Sequence, residues 1–382
     1  SSSGGRYSAL DKRLEIDAPA DAFGTATPLT VQQVEERAAV AGGYRPLSPV
    51  FDIVPGAQPK RPVTLRIKVN LSGVDARKAG IYRQAPDGTW NYVGGRVTSD
   101  GYISAQLEHF SRYTVLVYEP TFGDLRNHWA KEDTELLAAR HIINGMQDGS
   151  FHPEAEVTRA QFVKMLIGAL RQGDPGLQLS KRPAAFTDVP ADHWGATYIA
   201  TAADLGIAQG SEGRFRPEDS VTRQELAVMI SRAMNLTGAA DPSILDKFVD
   251  RDQIAPWAKD AVAHMTDRGI LQGTPSSTFD PNATATRAQA AVMIYRMIDW
   301  QGWFEESMEL KGILQESQLE GRHFELRTSE GSWVLLVDPN DAALASLREA
   351  IGKKVRVVGT PVRGATIYLR DKVLRMTSLE IE

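Results

Sequence analysis

Arg159, Arg223 and Arg287 stand at equal intervals along the chain, each inside one short phrase: VTRAQF at 157–162, VTRQEL at 221–226 and ATRAQA at 285–290. The regularity extends well beyond the phrase. Trp129, Trp194 and Trp257 precede Gly145, Gly210 and Gly273 by one shared interval. Pro153, Pro217 and Pro281 each precede the arginine by six, and Met165, Met229 and Met293 each follow it by six. A period of this kind means a stacked array of one supersecondary unit, because a single unit cannot bury its apolar face alone. The units open at FGDLRNHWA, FTDVPADHWG and FVDRDQIAPWA.

Local physics shapes each unit. Thr158 with Gln161, Thr222 with Glu225 and Thr286 with Gln289 have the spacing of capping boxes, each worth roughly 1 kcal/mol. Behind them Phe162, Met165, Leu166 and Ala169 recur at helical spacing. Phe-x-Pro closes the loop upstream, and Gly145, Gly210 and Gly273 are expected to end the preceding helix in a left-handed conformation. Each unit therefore reads as helix, loop, helix.

Capping leaves the arginine unexplained, since the positive end of a helix dipole disfavours a cation at the first helical position. Two readings stand. The arginine beside free helix N–H groups suits a carboxylate or phosphate; alternatively it makes a structural salt bridge to Asp124, Asp188 or Asp250 or their neighbours. A tryptophan near a helix start is ordinarily core, yet its face also stacks on sugar rings. His128 and His193 precede two of the tryptophans, but Pro256 replaces the histidine in the third copy, which argues against a shared metal or catalytic role.

The flanks differ in texture. Residues 1–119 alternate in strand fashion, broken by PDGT and TSDG turns, and read as a β-sandwich; one stretch, TPLTVQQVEERAAVAG, looks helical. Trp90 and Phe110 are read as sandwich core. Residues 306–382 offer five strands with a helix, PNDAALASLREAIG, before the fourth, the layout of a small OB-like β-barrel. The fold class expected is thus multidomain: an N-terminal β-sandwich (1–119), an all-α centre (120–300, with units at about 122–170, 186–233 and 248–297) and the barrel (306–382).

Composition narrows the chemistry. The 382 residues include no cysteine, so there are no disulfides, thiolate zinc sites or cysteine nucleophiles. A net charge of -5 argues against bulk binding to nucleic acid or anionic membrane, and no stretch is long and apolar enough for a membrane-spanning helix. The opening SSSGGRYSAL has no basic-then-apolar signal region, so an exported chain is expected to have lost one. No Gly-x-Ser-x-Gly, His-Glu-x-x-His or phosphate loop occurs, and no catalytic residue, metal or cofactor is expected. Lys353, Lys354, Arg356, Arg363 and Arg370 in the barrel are read as solvated strand faces rather than a nucleic-acid surface.

The second copy, FTDVPADHWGATYIATAADLGIAQGSEGRFRPEDSVTRQELAVMISRA, resembles the S-layer homology (SLH) domain almost end to end. The other two match at the Asp, Trp, Gly, Phe-x-Pro and Thr-Arg positions, so the resemblance covers about 122–297. It implies a pseudo-threefold bundle with grooves between adjacent units, binding secondary cell-wall polysaccharide, often one bearing a pyruvate ketal. Carried over by position, Arg159, Arg223 and Arg287 would take the ketal carboxylate. Asp124, Asp188 and Asp250 would accept sugar hydroxyls or orient the arginine, Trp129, Trp194 and Trp257 would line the wall, and Gly145, Gly210 and Gly273 would let backbone approach the sugar. The segment before the repeats also looks like sandwich modules of bacterial surface-layer proteins.

Departures from the family pattern imply unequal grooves. The usual Glu is Gln161 and Gln289 in copies one and three, the usual Ala is Gln224 in copy two, and Gly168 stands where the others have Arg232 and Arg296. Copy three also lacks the usual Asp-Gly turn. The function expected is a non-enzymatic, extracellular subunit of an S-layer or related assembly, anchored to the bacterial cell wall and self-associating through its β domains. The alternative is the anchoring fragment of a wall-bound enzyme or adhesin whose active part lies outside this chain.

Overall fold

The computed structural model describes residues 4–24, 26–35, 38–183, 185–236, 238–318, 323–337, 343–362 and 372–382. Alternating burial builds its first part. In the strand Val63–Lys68, Val63, Leu65 and Ile67 face inward and are fully buried. Among the described residues eleven strands arise this way: β1 (Gly5–Ala9), β2 (Leu14–Ala18), β3 (Leu29–Val34), β4 (Tyr44–Pro46), β5 (Val50–Pro55), β6 (Val63–Lys68), β7 (Ala79–Gln84), β8 (Trp90–Gly94), β9 (Arg96–Val97), β10 (Tyr102–Leu107) and β11 (Arg112–Tyr118). One sheet runs β1-β2-β6-β10-β9; the other runs β3-β5-β11-β7-β8, with β4 also paired to β11. Their inner faces share a core that includes Ile16, Ile67 and Ile103 from the first and Ile53, Ile81 and Val115 from the second. Phe110 is buried there and Trp90 half-buried.

The segment read as helical contains β3 instead. It pairs antiparallel with β5 from Leu29↔Pro55 to Val34↔Val50. Leu29 and Val31 fit a strand period as well as a helical one, and an open edge on β5 decided between them.

The centre departs from the all-α expectation. Its described residues do contain six α-helices: α1 (Lys131–Ala139), α2 (Arg159–Gly173), α3 (Ala196–Asp204), α4 (Arg223–Ala233), α5 (Lys259–Asp267) and α6 (Arg287–Gln301). They also contain 3-10 turns at Gly123–Leu125, Pro242–Lys247, Arg251–Gln253 and Pro256–Ala258. More important are β-bridges between copies, joining Glu156 to Thr286, Thr158 to Ser220 and Thr222 to Thr284. These residues precede α2, α4 and α6, and the bridges close a ring through the three units. Helix amides need acceptors and the adjacent copy supplies them. Arg159 N–H donates to Asp219 O and Ala160 N–H to Pro217 O; Arg223 and Gln224 donate likewise to Ala283 and Pro281, and Arg287 and Ala288 to Ala155 and Pro153. The Glu156 carboxylate accepts from Ser220 Oγ at 2.5 Å and Thr284 Oγ1 at 2.8 Å, binding one residue from each of the other copies, and these two bonds hold it below the ordinary carboxylate value.

The three capping boxes form as the spacing requires. The stops of the preceding helices do not fall on Gly145, Gly210 and Gly273. The left-handed residues there are His141 (φ 57), Gly206 (φ 71) and Gly269 (φ 67), well before those glycines. Gly145, Gly210 and Gly273 answer a different constraint: a Cβ would lie within 2.6–2.8 Å of the Phe122, Phe186 or Phe248 ring.

The last part is a closed barrel of β12 (Met308–Ser317), β13 (His323–Thr328), β14 (Gly331–Leu336), β15 (Lys354–Pro361) and β16 (Val373–Ile381), in the order β12-β13-β14-β16-β15. A helix, α7 (Ala343–Ala350), follows β14 and adds Leu347 and Ala350 to the barrel core. Of the basic residues noted in the sequence, Arg356 pairs with Glu380 at 2.8 Å and Lys354 with Glu382 at 2.9 Å. Arg363 and Arg370 lie outside the described residues.

The regions pack against one another on both sides of the centre. Val97 of β9 exchanges backbone hydrogen bonds with Phe304 and Glu306, just beyond α6, and Arg66 pairs with Glu306 at 3.1 Å. On the barrel side, the Arg375 guanidinium lies 4.3 Å from the Trp300 ring centre.

Candidate functional site

Each Phe-x-Pro loop holds its middle residue in the left-handed region: His152 at φ 58, Arg216 at φ 60 and Asp280 at φ 55. That conformation is costly for these side chains and needs fixing. The fixing comes from the aspartates. Asp124 accepts from the N–H groups of Phe151 and His152, Asp188 from Phe215 and Arg216, and Asp250 from Phe279 and Asp280, at 2.7–3.1 Å. For Asp124 and Asp188, burial opposes ionisation, but these amide bonds outweigh it and hold both carboxyls below the usual value. Each aspartate thus pins a loop on the far side of its own unit's first helix.

The loop's phenylalanine carbonyl then turns toward an arginine of the preceding copy. Arg159 Nε donates to Phe215 O at 2.8 Å, Arg223 Nε to Phe279 O at 2.7 Å and Arg287 Nε to Phe151 O at 2.9 Å. Each guanidinium also lies over the ring of that phenylalanine at 4.7–5.3 Å. The set is cyclic: copy one reaches two, two reaches three and three reaches one. Both sequence readings of the arginine change as a result. Its own copy's aspartate is not its ion-pair partner, and the helix N–H groups meant for an anion are taken, the first two by the next copy's carbonyls and the third by the capping threonine. The three arginines themselves are only 6–8% exposed. Burial lowers the pKa of all three, a sign of cations held at some desolvation cost.

Trp129, Trp194 and Trp257 are 63%, 51% and 60% exposed, so they are surface and not core. The groove of Arg159 shows what they face. It is a cavity of about 260 Å³ lined by Arg159 of copy one, Gly210, Ser211, Arg216, Glu225, Met229 and Arg232 of copy two, and Trp257 of copy three. All three copies build it. By repeat equivalence the matching positions around Arg287 are Gly145, His152, Gln161, Gly168 and Trp194; Lys164 lies 6.0 Å from the Trp194 ring centre. Around Arg223 they are Gly273, Asp280, Gln289, Arg296 and Trp129. Arg159, Gly210 and Trp257, one from each copy, thus line one groove, whereas the three aspartates are committed to backbone amides.

Histidine turns out to be a loop brace. Nδ1 of His128 accepts from Ala130 N–H and Nε2 donates to Glu154; His193 does the same with Gly195 and Glu218. Sequence reasoning missed Arg216 and Lys164 as groove residues; it had Glu225 as a cap and Arg232 as a difference between copies. The one available signal was their offset from the repeated arginine, since loop and helix from different copies meet only in three dimensions. A concave wall with an aromatic face and a fixed cation suits a ring bearing an acidic group.

Residues 121–163, 185–227 and 247–291 match the family described as S-layer homology domain. These three units are S-layer homology domains. Such domains anchor surface proteins to the bacterial cell wall, and the chain is a cell-surface protein.

Similar proteins carry the same repeats. The chain is 36% identical over 246 residues to an amylopullulanase of Thermoanaerobacterium thermosulfurigenes, covering 63% of this chain and 13% of that one. It is 37% identical over 187 residues to exoglucanase XynX of Acetivibrio thermocellus, covering 48% and 17%. A third match is the surface-layer 125 kDa protein of Lysinibacillus sphaericus, 31% identical over 175 residues, covering 45% and 14%. The chain thus spans less than a fifth of the length of each of these three relatives.

Proposed function

We propose that the three grooves bind an acidic secondary cell-wall polysaccharide, bearing a pyruvate ketal or a similar single carboxylate, and that the chain is a non-enzymatic structural subunit of a surface assembly. The observation that carries this reading is the groove in which a buried guanidinium of one copy, Arg159, meets an exposed tryptophan of another, Trp257, with the same residue types at the equivalent positions of the other two copies. The ring stacks, the guanidinium takes the acid, and three grooves bound to one chain raise avidity by effective concentration. The two β regions supply broad surfaces for self-association. A second reading draws support from relatives named as amylopullulanase and exoglucanase: the anchoring portion of a wall-bound enzyme whose catalytic part lies outside this chain.

The tryptophans give the cleaner test of binding, because each arginine also holds the next copy's loop. Trp129→Ala/Trp194→Ala/Trp257→Ala is expected to abolish co-sedimentation with purified walls while leaving the unfolding transition within about 0.5 kcal/mol. Wild-type protein should lose binding when non-peptidoglycan polymer is stripped from the walls. Normal sedimentation of the triple variant would refute the groove assignment.

A further inference from the structure

We propose that the capping residue three places after each threonine sets how strictly its groove demands an acid. Gln289 and Gln161 make the Arg223 and Arg287 grooves selective for a carboxylate-bearing sugar, whereas Glu225 leaves the Arg159 groove tolerant of a neutral one. This rests on the grooves being the polysaccharide sites.

Glu225 does two jobs. Its Oε2 accepts from the Thr222 N–H at 2.9 Å and completes the cap, while Oε1 accepts from Arg159 Nη1 at 2.8 Å and neutralises it. Gln161 and Gln289 keep the first job, accepting from the N–H groups of Thr158 and Thr286 at 3.2 Å. A neutral amide cannot do the second. Among the described residues neither Arg223 nor Arg287 forms an ion pair. Besides the Phe279 and Phe151 carbonyls, Arg223 Nη2 donates to Gln272 O at 3.3 Å and Arg287 Nη2 to Asn144 O at 3.4 Å. Each arginine is only 8% exposed. The acids they feel from a distance are Asp280 and Asp250 for Arg223 and Asp124 for Arg287, and the Asp250 and Asp124 carboxylates are already spent on backbone amides.

A buried cation satisfied only by carbonyls gains most from an arriving carboxylate, because the cost of desolvating it has already been met in the fold. Where Glu225 stands, the same carboxylate meets a like charge. Arg216 and Arg232 keep that groove positive near its mouth, so it still attracts acidic polymer without needing an acid inside.

Calorimetry on the full chain with a pyruvylated methyl hexoside and its neutral methyl ester separates the cases. Wild type should show two sites preferring the acid by about tenfold and one with little preference. Glu225→Gln should raise the selective sites to three, and Gln161→Glu/Gln289→Glu should reduce them to none. Glu and Gln both complete the cap in this protein, so a single cooperative unfolding transition should report that folding is intact, lowered in Glu225→Gln by the lost Arg159 ion pair. An acid-to-ester preference unmoved by these exchanges, or moved the other way, overturns the proposal and leaves polysaccharide binding standing. Failure of wild type to bind either compound overturns both.

Discussion

The three copies end their first helix with the same backbone and opposite chemistry. Copies two and three use Gly206 and Gly269 at the left-handed stop, with open space where a Cβ would be. Copy one places His141 there, at φ 57, and spends the strain on a contact. The imidazole sits among Tyr44, Tyr82, Tyr92 and Tyr118 of the sandwich, at ring-centre distances of 5.1–6.4 Å, and its Nε2 accepts from the Tyr82 hydroxyl at 3.0 Å. One residue earlier, Arg140 is 1% exposed and donates to the carbonyls of Arg77 and Gly95, while its equivalent, Leu205, is 44% exposed. A repeat can thus keep a backbone conformation while replacing the residue that made it easy, provided another body covers the site.

Arg140→Ala should show the largest difference between copies. It leaves two buried carbonyls without their donor and opens a cavity, for a loss of about 3–5 kcal/mol by denaturant unfolding. Leu205→Ala should cost under about 1 kcal/mol. Equal losses would mean the seam is not what holds Arg140.

Arg287→Ala comes next. It removes a charged donor from the Phe151 carbonyl of another copy and should cost about 1.5–3 kcal/mol, with the first and third copies losing hydrogen-exchange protection together. Loss confined to copy three would break the cyclic picture.

His141→Gly exchanges strain relief for lost ring contacts, and a net loss of about 1 kcal/mol is expected. Gly206→Ala, where no partner waits, should cost a similar amount from strain alone. The two separate by pH. Burial lowers the His141 pKa below 6.5, so the unfolded chain takes up the proton first. The seam's contribution is complete above about 6.5 and falls as pH drops through the lower folded value. This acid sensitivity should vanish in His141→Gly and persist in Gly206→Ala.

The smallest effect is also a titration. Burial pushes Asp133 on α1 up to about 6, with Arg296 and Arg77 only partly opposing it. A raised acid contributes stability below its unfolded value near 3.8 and loses it as pH rises toward 6, opposite in sign to His141. Asp133→Asn should remove that decline between pH 4 and 6 in thermal unfolding. An unchanged profile would place the ionisation elsewhere.

Much of the architecture could be read from spacing. Thr158, Thr222 and Thr286 with their partners three positions on are local devices: donor and acceptor lie within one turn, so sequence alone decides them. The strand period of β6 and β10 is similarly self-contained. β3 reads as helical in the sequence because Val31 and Val34 suit a helical period while Leu29 and Val31 suit a strand one, and only the free edge of β5 distinguishes them. The grooves were half legible. Their arginines, glycines and tryptophans recur at fixed spacing, but Arg216 and Lys164 carry no motif.

From the sequence alone came three copies, three capped helices and an arginine at each helix start. The tertiary structure alone decided what surrounds them. Helix amides that look free in one copy are filled by carbonyls of the next, because the bridges through Thr158, Thr222 and Glu156 close a ring. Each arginine answers a phenylalanine in the following copy, or back across the ring for Arg287, and the tryptophans lie outside the core. Capping acts within a single turn and is written in any one copy; these contacts join different copies, so their energy exists only once all three are in place.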